Sequence, residues 1–168
     1  MLYLLDANIL ITANRDYYPI DQVPEFWSWL QFQGTEGNVK IPLEILEEIR
    51  AGTKENDRLF DWISLTEIES ALLLDETVDV VRVRRVLEEG YAPDLNDVEL
   101  EAIGQDPFLV AYCLGNEVDR CVVTAEASKP STRRQNRRVP NVCEGLGVQW
   151  CGPFKLNRAL GFRTAWKS

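Results

Sequence analysis

The sequence predicts an α/β fold, a small central parallel sheet with helices on both faces. Three observations carry that reading. Leu2-Tyr3-Leu4-Leu5 and Cys121-Val122-Val123-Thr124 are short apolar runs that end at polar residues, as strands buried on both faces do. Between such runs, apolar residues recur at helical spacing. Strands and helices alternate along 168 residues with no internal repeat and no dividing linker, which fits one domain spanning residues 1–168.

Taken in order, the first strand delivers Asp6 at its end, and Tyr17-Tyr18-Pro19 marks a loop. Val23-Pro24-Glu25 opens a helix, since proline suits a first turn. That helix carries Phe26, Trp27, Trp29, Leu30 and Phe32 and ends between Gly34 and Gly37. Most of these aromatics belong to the core, but one face of the helix is also a candidate partner surface, because aromatics concentrate at interface centres. Val39-Lys40-Ile41 is a short strand, and Pro42 leads into a helix that stops at Ala51-Gly52. From Asn56 to Gly90 the spacing predicts a pair of amphipathic helices with acidic outer faces, followed by a loop from Tyr91 to Asn96. Gln105-Asp106-Pro107 reads as a helix start, and Phe108 to Leu114 as a buried helix ending at Gly115. A short helix around Val142 to Leu146 precedes a last strand, Gly147 to Cys151.

Composition excludes whole classes of chemistry. With no histidine, Ser-His-Asp and Cys-His catalysis are ruled out, as is any histidine general base. The four cysteines, Cys113, Cys121, Cys143 and Cys151, form no C-x-x-C pair and read as structural thiols of a reducing compartment rather than zinc ligands. No segment has the length of a membrane-spanning helix, and the N-terminus lacks the basic region and cleavage site of a signal peptide, so the cytoplasm is the expected location. Enzyme chemistry here must run on carboxylates, which work through hard metal ions.

Four acids stand at the edges of apolar elements. Asp6 follows the first strand, Glu48 lies in the helix after the second, Asp106 heads a buried helix, and Glu126 follows Thr124. A parallel sheet gathers its chemistry beyond the carboxyl ends of its strands. Each acid also has a plain structural explanation: Asp6 (or Asn8) and Asp106 as helix caps, Glu48 as part of a solvated Glu44-Glu47-Glu48 face, Glu126 as a loop flank. If the four converge, they repel one another unless protons or a cation intervene. Mg²⁺ or Mn²⁺ suits such an oxygen-rich site, and two ions about 3.5–4 Å apart can stabilise both attacking and leaving oxygens.

The run Leu4-Leu5-Asp6-Ala7-Asn8-Ile9-Leu10-Ile11 resembles the L-D-x-N opening of PIN-domain nucleases. Glu48-Ile49-Arg50-Ala51-Gly52 resembles their second motif, Asp106-Pro107-Phe108-Leu109-Val110-Ala111 their third, and Val122-Val123-Thr124-Ala125-Glu126 their final strand followed by T-x-D. The order agrees over nearly the whole chain. The resemblance implies a PIN-like three-layer fold and a Mg²⁺- or Mn²⁺-dependent endoribonuclease that hydrolyses RNA with a metal-activated water. It also implies the toxin of a VapC-type type II toxin–antitoxin pair, often a homodimer. Carried over by position, Asp6, Glu48 and Asp106 are the metal-binding core, Glu126 takes the fourth acid's place, and Asn8 and Thr124 support them. The departure is Glu126, where the family more often has aspartate. The Trp27 and Trp29 helix is a candidate antitoxin contact.

The net charge of −9 argues against a nucleic-acid partner, but its distribution does not. Lys129, Arg133, Arg134, Arg137 and Arg138 lie together with no acid among them, and removing these five charges leaves −14 for the rest. This loop is a candidate for holding RNA phosphates; the alternative is a solvated loop that offsets the acidic helices. Thr66 to Glu101, with eleven acids against three arginines, should repel RNA. Two rival functions remain open. One is a non-catalytic PIN-like metal-binding or interaction module. The other, a phosphatase with an aspartyl nucleophile, is disfavoured because such enzymes usually carry a second aspartate two residues on, where this chain has Asn8.

Overall fold

The computed structural model describes residues 1–52 and 57–167. Four strands, β1 (Leu2–Leu5), β2 (Val39–Lys40), β3 (Arg120–Val123) and β4 (Gln149–Cys151), form one parallel sheet in the order β2-β1-β3-β4. Leu4, Leu5, Val122 and Val123 are fully buried, as continuous apolar runs in a doubly covered sheet require. The ladder continues beyond the strands, with Asp6 N donating to Val123 O at 2.9 Å and Thr124 N to Cys151 O at 3.1 Å.

After β1 the chain moves to one side, to β2, and then crosses back past β1 to β3 and β4. The crossover to β2 contains α1 (Ala7–Thr12), a π-helical turn (Ala13–Tyr17) and α2 (Pro24–Thr35). The return contains α3 (Leu43–Gly52), α4 (Arg58–Ile63), α5 (Thr66–Leu72), α6 (Val80–Arg85), a π-helical continuation (Val86–Tyr91), α7 (Asp97–Ile103) and α8 (Asp106–Cys113). Then α9 (Val139–Leu146) joins β3 to β4, and α10 (Pro153–Ala159) follows β4. Right-handed crossovers put α2 on one face and α8 and α9 on the other, giving three layers. The reversal of winding between β1 and β3 creates a switch point, where open α/β sheets place their sites.

Local chemistry accounts for the elements that frame this point. In α3, Ile45, Leu46 and Ile49 are buried while Glu47 and Glu48 face outward. Pro107 and Pro140 sit in the first turns of α8 and α9, where a missing N–H costs nothing. Gly147 ends α9 in the left-handed region, at φ 72°. Gly34 brings α2 against α5, since a Cβ there would stand 2.7 Å from Ala71 O.

The structure corrects three expectations. The stretch from Asn56 to Gly90 is not a pair of helices; Asn56 lies outside the described residues, and the remainder forms α4, α5 and α6 with its π-helical end. Leu65 and Leu73 are extended, Ile41 exchanges ladder bonds with Leu72 and Leu74, and Asp57 and Asp79 cap new helices through Leu59 N and Val81 N. Residues 97–103, passed over in the sequence, form α7 behind a capping box of Asn96 and Glu99. Trp27 and Trp29 are 2% and 1% exposed, so neither ring is a surface contact. Trp27 donates to Tyr18 O at 2.7 Å and packs on Trp62, while Trp29 packs on Phe162. Among the described residues, no helix is long and apolar enough to cross a membrane.

Candidate active site

Asp6 occupies the N-cap position of α1, yet its carboxylate makes no capping bond. It lies 4% exposed between the ends of β1 and β3. One oxygen, Oδ2, accepts from Thr124 Oγ1 at 2.7 Å and from Asn8 Nδ2 at 2.6 Å. Asn8 Nδ2 also reaches Thr124 Oγ1 at 3.1 Å, and its Oδ1 accepts from Ala125 N at 2.8 Å. The two strand ends are thus laced together around one carboxylate oxygen.

Asp106 is the first residue of α8, after its N-cap Gln105, and α8 packs against both β1 and β3. Burial pushes Asp6 up to about 6, and the charges of Glu126 and Glu48 add to the rise while the Thr124 and Asn8 bonds oppose it. Burial pushes Asp106 up to about 8, with Asp6, Glu126 and Glu48 raising it further. Desolvation raises Glu48 as well, although its side chain is open to solvent on α3. Asp6 feels Glu126 and Glu48, and Asp106 feels Asp6, Glu126 and Glu48, so charges distant in sequence act on the two buried aspartates.

Glu126 is one of these charges but is tethered. Its Oε2 accepts the Val139 N–H at 2.8 Å, capping α9, and its Oε1 lies 3.4 Å from Arg138 Nη1. A cleft of about 640 Å³ opens here, lined by Asp106 and Glu126 and by Lys129, Arg133, Arg137 and Arg138. The basic residues divide in role. Lys129, Arg133 and Arg138 are exposed. Arg137 is half-buried and donates to Gly90 O and Asn141 O. Arg134 lies outside the lining; at φ 52° it turns its guanidinium onto Asp94 and Glu99, each at 2.7 Å. Buried Asn141 ties the loop's base through Lys129 N and Ser128 Oγ. The loop is therefore braced against the body rather than held only by solvent.

The donors gathered here are carboxylate oxygens with a hydroxyl and an amide behind them, a set suited to a hard cation. Such an ion would offset the burial and, beside it, the repulsion that hold Asp6 and Asp106 above the usual carboxylate range. Among the described residues, no three acidic or thiol side chains form a ready-made ligand cage. A cation would accordingly be held by a few carboxylates with waters completing its shell, the habit of Mg²⁺. The four cysteines are buried with free thiols.

Sequence reasoning missed Tyr91. It is 7% exposed, and its hydroxyl feels Asp106 and Glu126 foremost among nearby charges. No local signal marked it, because an aromatic residue beside apolar ones reads as core.

No curated protein matches the chain. A family profile described as "Domain of unknown function (DUF4411)" matches residues 3–164, and the chain belongs to that family.

Proposed function

We propose that the protein is a Mg²⁺- or Mn²⁺-dependent endoribonuclease of PIN type, acting in the cytoplasm as the toxin of a type II toxin–antitoxin pair. What supports the nuclease reading is that buried Asp6 and Asp106 both feel the charges of Glu126 and Glu48, beside a cleft lined by Asp106, Glu126 and basic side chains. The toxin role, a cognate antitoxin and a homodimer rest on the sequence resemblance alone.

In this reading Asp6, Glu48 and Asp106 hold the cation. When bound, it polarises a phosphoryl oxygen and makes water a stronger nucleophile. Thr124 and Asn8 hold Asp6 Oδ2 and so fix the carboxylate that would take part in holding the ion. Lys129, Arg133 and Arg138 receive RNA phosphates, while Arg134 and Arg137 brace the loop that presents them. Glu126 assists from the edge of the cleft.

The tether on Glu126 favours a second reading, a PIN-like module that binds metal or a partner without turnover. RNA cleavage by the purified protein with Mg²⁺ or Mn²⁺, with EDTA, and with Asp6→Asn separates the two. Cleavage that requires both metal and Asp6 supports the nuclease. Metal binding without cleavage across several structured RNAs supports the module.

A further inference from the structure

Phe154 stands in the first turn of α10, just beyond Cys151, the last residue of β4. Cys151 pairs with Val123 of β3, so Phe154 and the Ala125-Glu126 step leave the sheet at the same carboxyl edge. Tyr17 reaches that edge from the π-helical turn after α1. Its ring meets Phe154 edge-on, with centroids 5.1 Å apart and planes at 80°. Under the two rings lies an apolar hollow lined by Ile9, Ala13, Leu30 and Leu156, with exposed Ala125 at its rim. Tyr17 is 48% and Phe154 46% exposed, so each keeps much of its ring in solvent. Adjoining exposed rings beside a polar cleft mark a binding surface in a way that a lone exposed ring does not. The surroundings are basic. Lys155 and Arg158 are exposed on α10, and from Gly145 to Ser168 the chain has four basic residues and no acid. Asp16, beside Tyr17, is already paired with Arg15 at 2.7 Å.

We propose that Tyr17 and Phe154 form a stacking platform for unpaired bases of an RNA strand whose phosphates run through the basic cleft, with Lys155 meeting a phosphate beside them. The proposal rests on the nuclease reading above. The cleft reaches Glu126 and the aromatic hollow reaches Ala125, consecutive residues just past the Thr124 hydroxyl that holds Asp6. A strand lying on both surfaces therefore passes the buried aspartate. Proteins that bind single strands pair a cationic track with aromatic faces in this way. The hollow itself encloses only about 10 Å³, so a base lies on the outer ring faces rather than inside it. Stacking of that kind reads no base edge and tolerates any sequence. It also requires a base with a free face, which makes single-stranded RNA the substrate class, since paired bases are covered by their neighbours.

The test uses the full chain carrying Asp6→Asn, so that RNA stays intact. Tyr17→Leu and Phe154→Leu keep an apolar cover over the hollow and remove the flat ring, while Tyr17→Phe keeps the ring. Anisotropy titrations compare a labelled single-stranded RNA of mixed sequence with an abasic strand of the same sugar–phosphate length. The proposal expects each leucine variant to weaken binding of the base-bearing strand about tenfold or more, with Tyr17→Phe near the parent. The abasic strand should bind all of them alike, and the slope of log K against log salt should not change. Lys155→Ala should instead lower that slope by about 0.7. Equal losses on the two strands would mean that the rings shape the surface without stacking bases, and would overturn the proposal. Unchanged affinity in both leucine variants, with parent binding that falls with salt, overturns the platform and leaves the basic cleft standing. Absence of RNA binding by the parent, together with absence of cleavage by wild type, removes the nuclease reading and this inference with it.

Discussion

Thr124 Oγ1 donates to Asp6 Oδ2 at 2.7 Å, joining the ends of two neighbouring strands across 118 positions of sequence. Thr124 is completely buried, and its hydroxyl oxygen also accepts from Asn8 Nδ2 and from Glu126 N. One hydroxyl therefore sets the direction of the most enclosed carboxylate and the entry of the chain into the basic loop.

Replacing that hydroxyl by a methyl group, Thr124→Val, keeps the volume and removes the donor. Metal-free stability should fall by about 1–3 kcal/mol, because Asp6 loses a bond that favours its ionised form. The loss should be larger at alkaline than at acidic pH, where Asp6 is protonated and needs the donor less. Thr124→Ser should recover most of it. Urea unfolding in EDTA at the two pH extremes measures both; a cost independent of pH would mean that the hydroxyl does not act on Asp6.

The raised acids also predict an unusual pH profile. Asp6 titrates near 6 and Asp106 near 8 in the folded chain, against an ordinary 3.8. Between about pH 4 and 8 the folded state binds more protons than the unfolded state, so stability in EDTA falls as pH rises. Asp6 and Asp106 titrate as a coupled pair, so this loss belongs to the two together. A cation binds the ionised acids, so the melting shift produced by Mn²⁺ should grow across the same window. Thermal scans over pH, with EDTA and with Mn²⁺, decide it. Stability that rises with pH in EDTA would show that the acids are not crowded.

The sheet and the acids at its edge were legible because their signals are local. Leu2–Leu5 is an apolar run ending in a charge, and Asp106 precedes a proline and a buried helix. What stayed hidden depends on partners far along the chain. The extra methylene of Glu126 gains meaning only once Val139 N is seen within its reach. Arg134 and Arg133 are adjacent and chemically identical, yet one faces Asp94 and Glu99 and the other the cleft. The α7 start was readable in Asn96-Asp97-Val98-Glu99, a capping-box pattern, but its apolar periodicity is weak because Val98 and Leu100 face solvent. On the aromatic helix the expected burial of most side chains is found, with Phe32 left exposed, but that Trp62 and Phe162 are what cover Trp27 and Trp29 depends on distant partners.

The unequal basic residues can be separated by salt dependence. In an Asp6→Asn background, which prevents cleavage, single-stranded RNA binding should weaken with salt in proportion to the phosphates contacted. Lys129→Ala, Arg133→Ala and Arg138→Ala should each lower the slope of log K against log salt by about 0.7. Arg134→Ala should leave the slope nearly unchanged, since its guanidinium is held by Glu99, whose carboxyl that contact keeps down at about 2. It should instead speed tryptic cleavage in the loop. Anisotropy titrations with labelled RNA supply the slopes, and an Arg134→Ala slope change matching that of Arg133→Ala would undo the division.

Glu126 offers the sharpest distinction between a ligand and a support. Its carboxylate caps α9 through Val139 N and meets Arg138, so its reach is already committed at the cleft edge. Glu126→Gln keeps an acceptor for Val139 N–H and should leave metal-free stability within about 0.5 kcal/mol, whereas Glu126→Ala should cost about 1 kcal/mol, the usual loss of a cap. Removing the charge also relieves Asp6 and Asp106, both of which Glu126 raises, so the decline in stability with rising pH should end at lower pH and be smaller in total. Glu126→Asp is one methylene shorter and should lose the Val139 contact while keeping the charge, so it should show the cap cost with the parent pH profile. Mn²⁺ affinity should fall much less in Glu126→Gln than in Asp6→Asn or Asp106→Asn. Calorimetry on the three variants measures this, and equal losses would make Glu126 a direct ligand whose bond to α9 gives way when the ion binds.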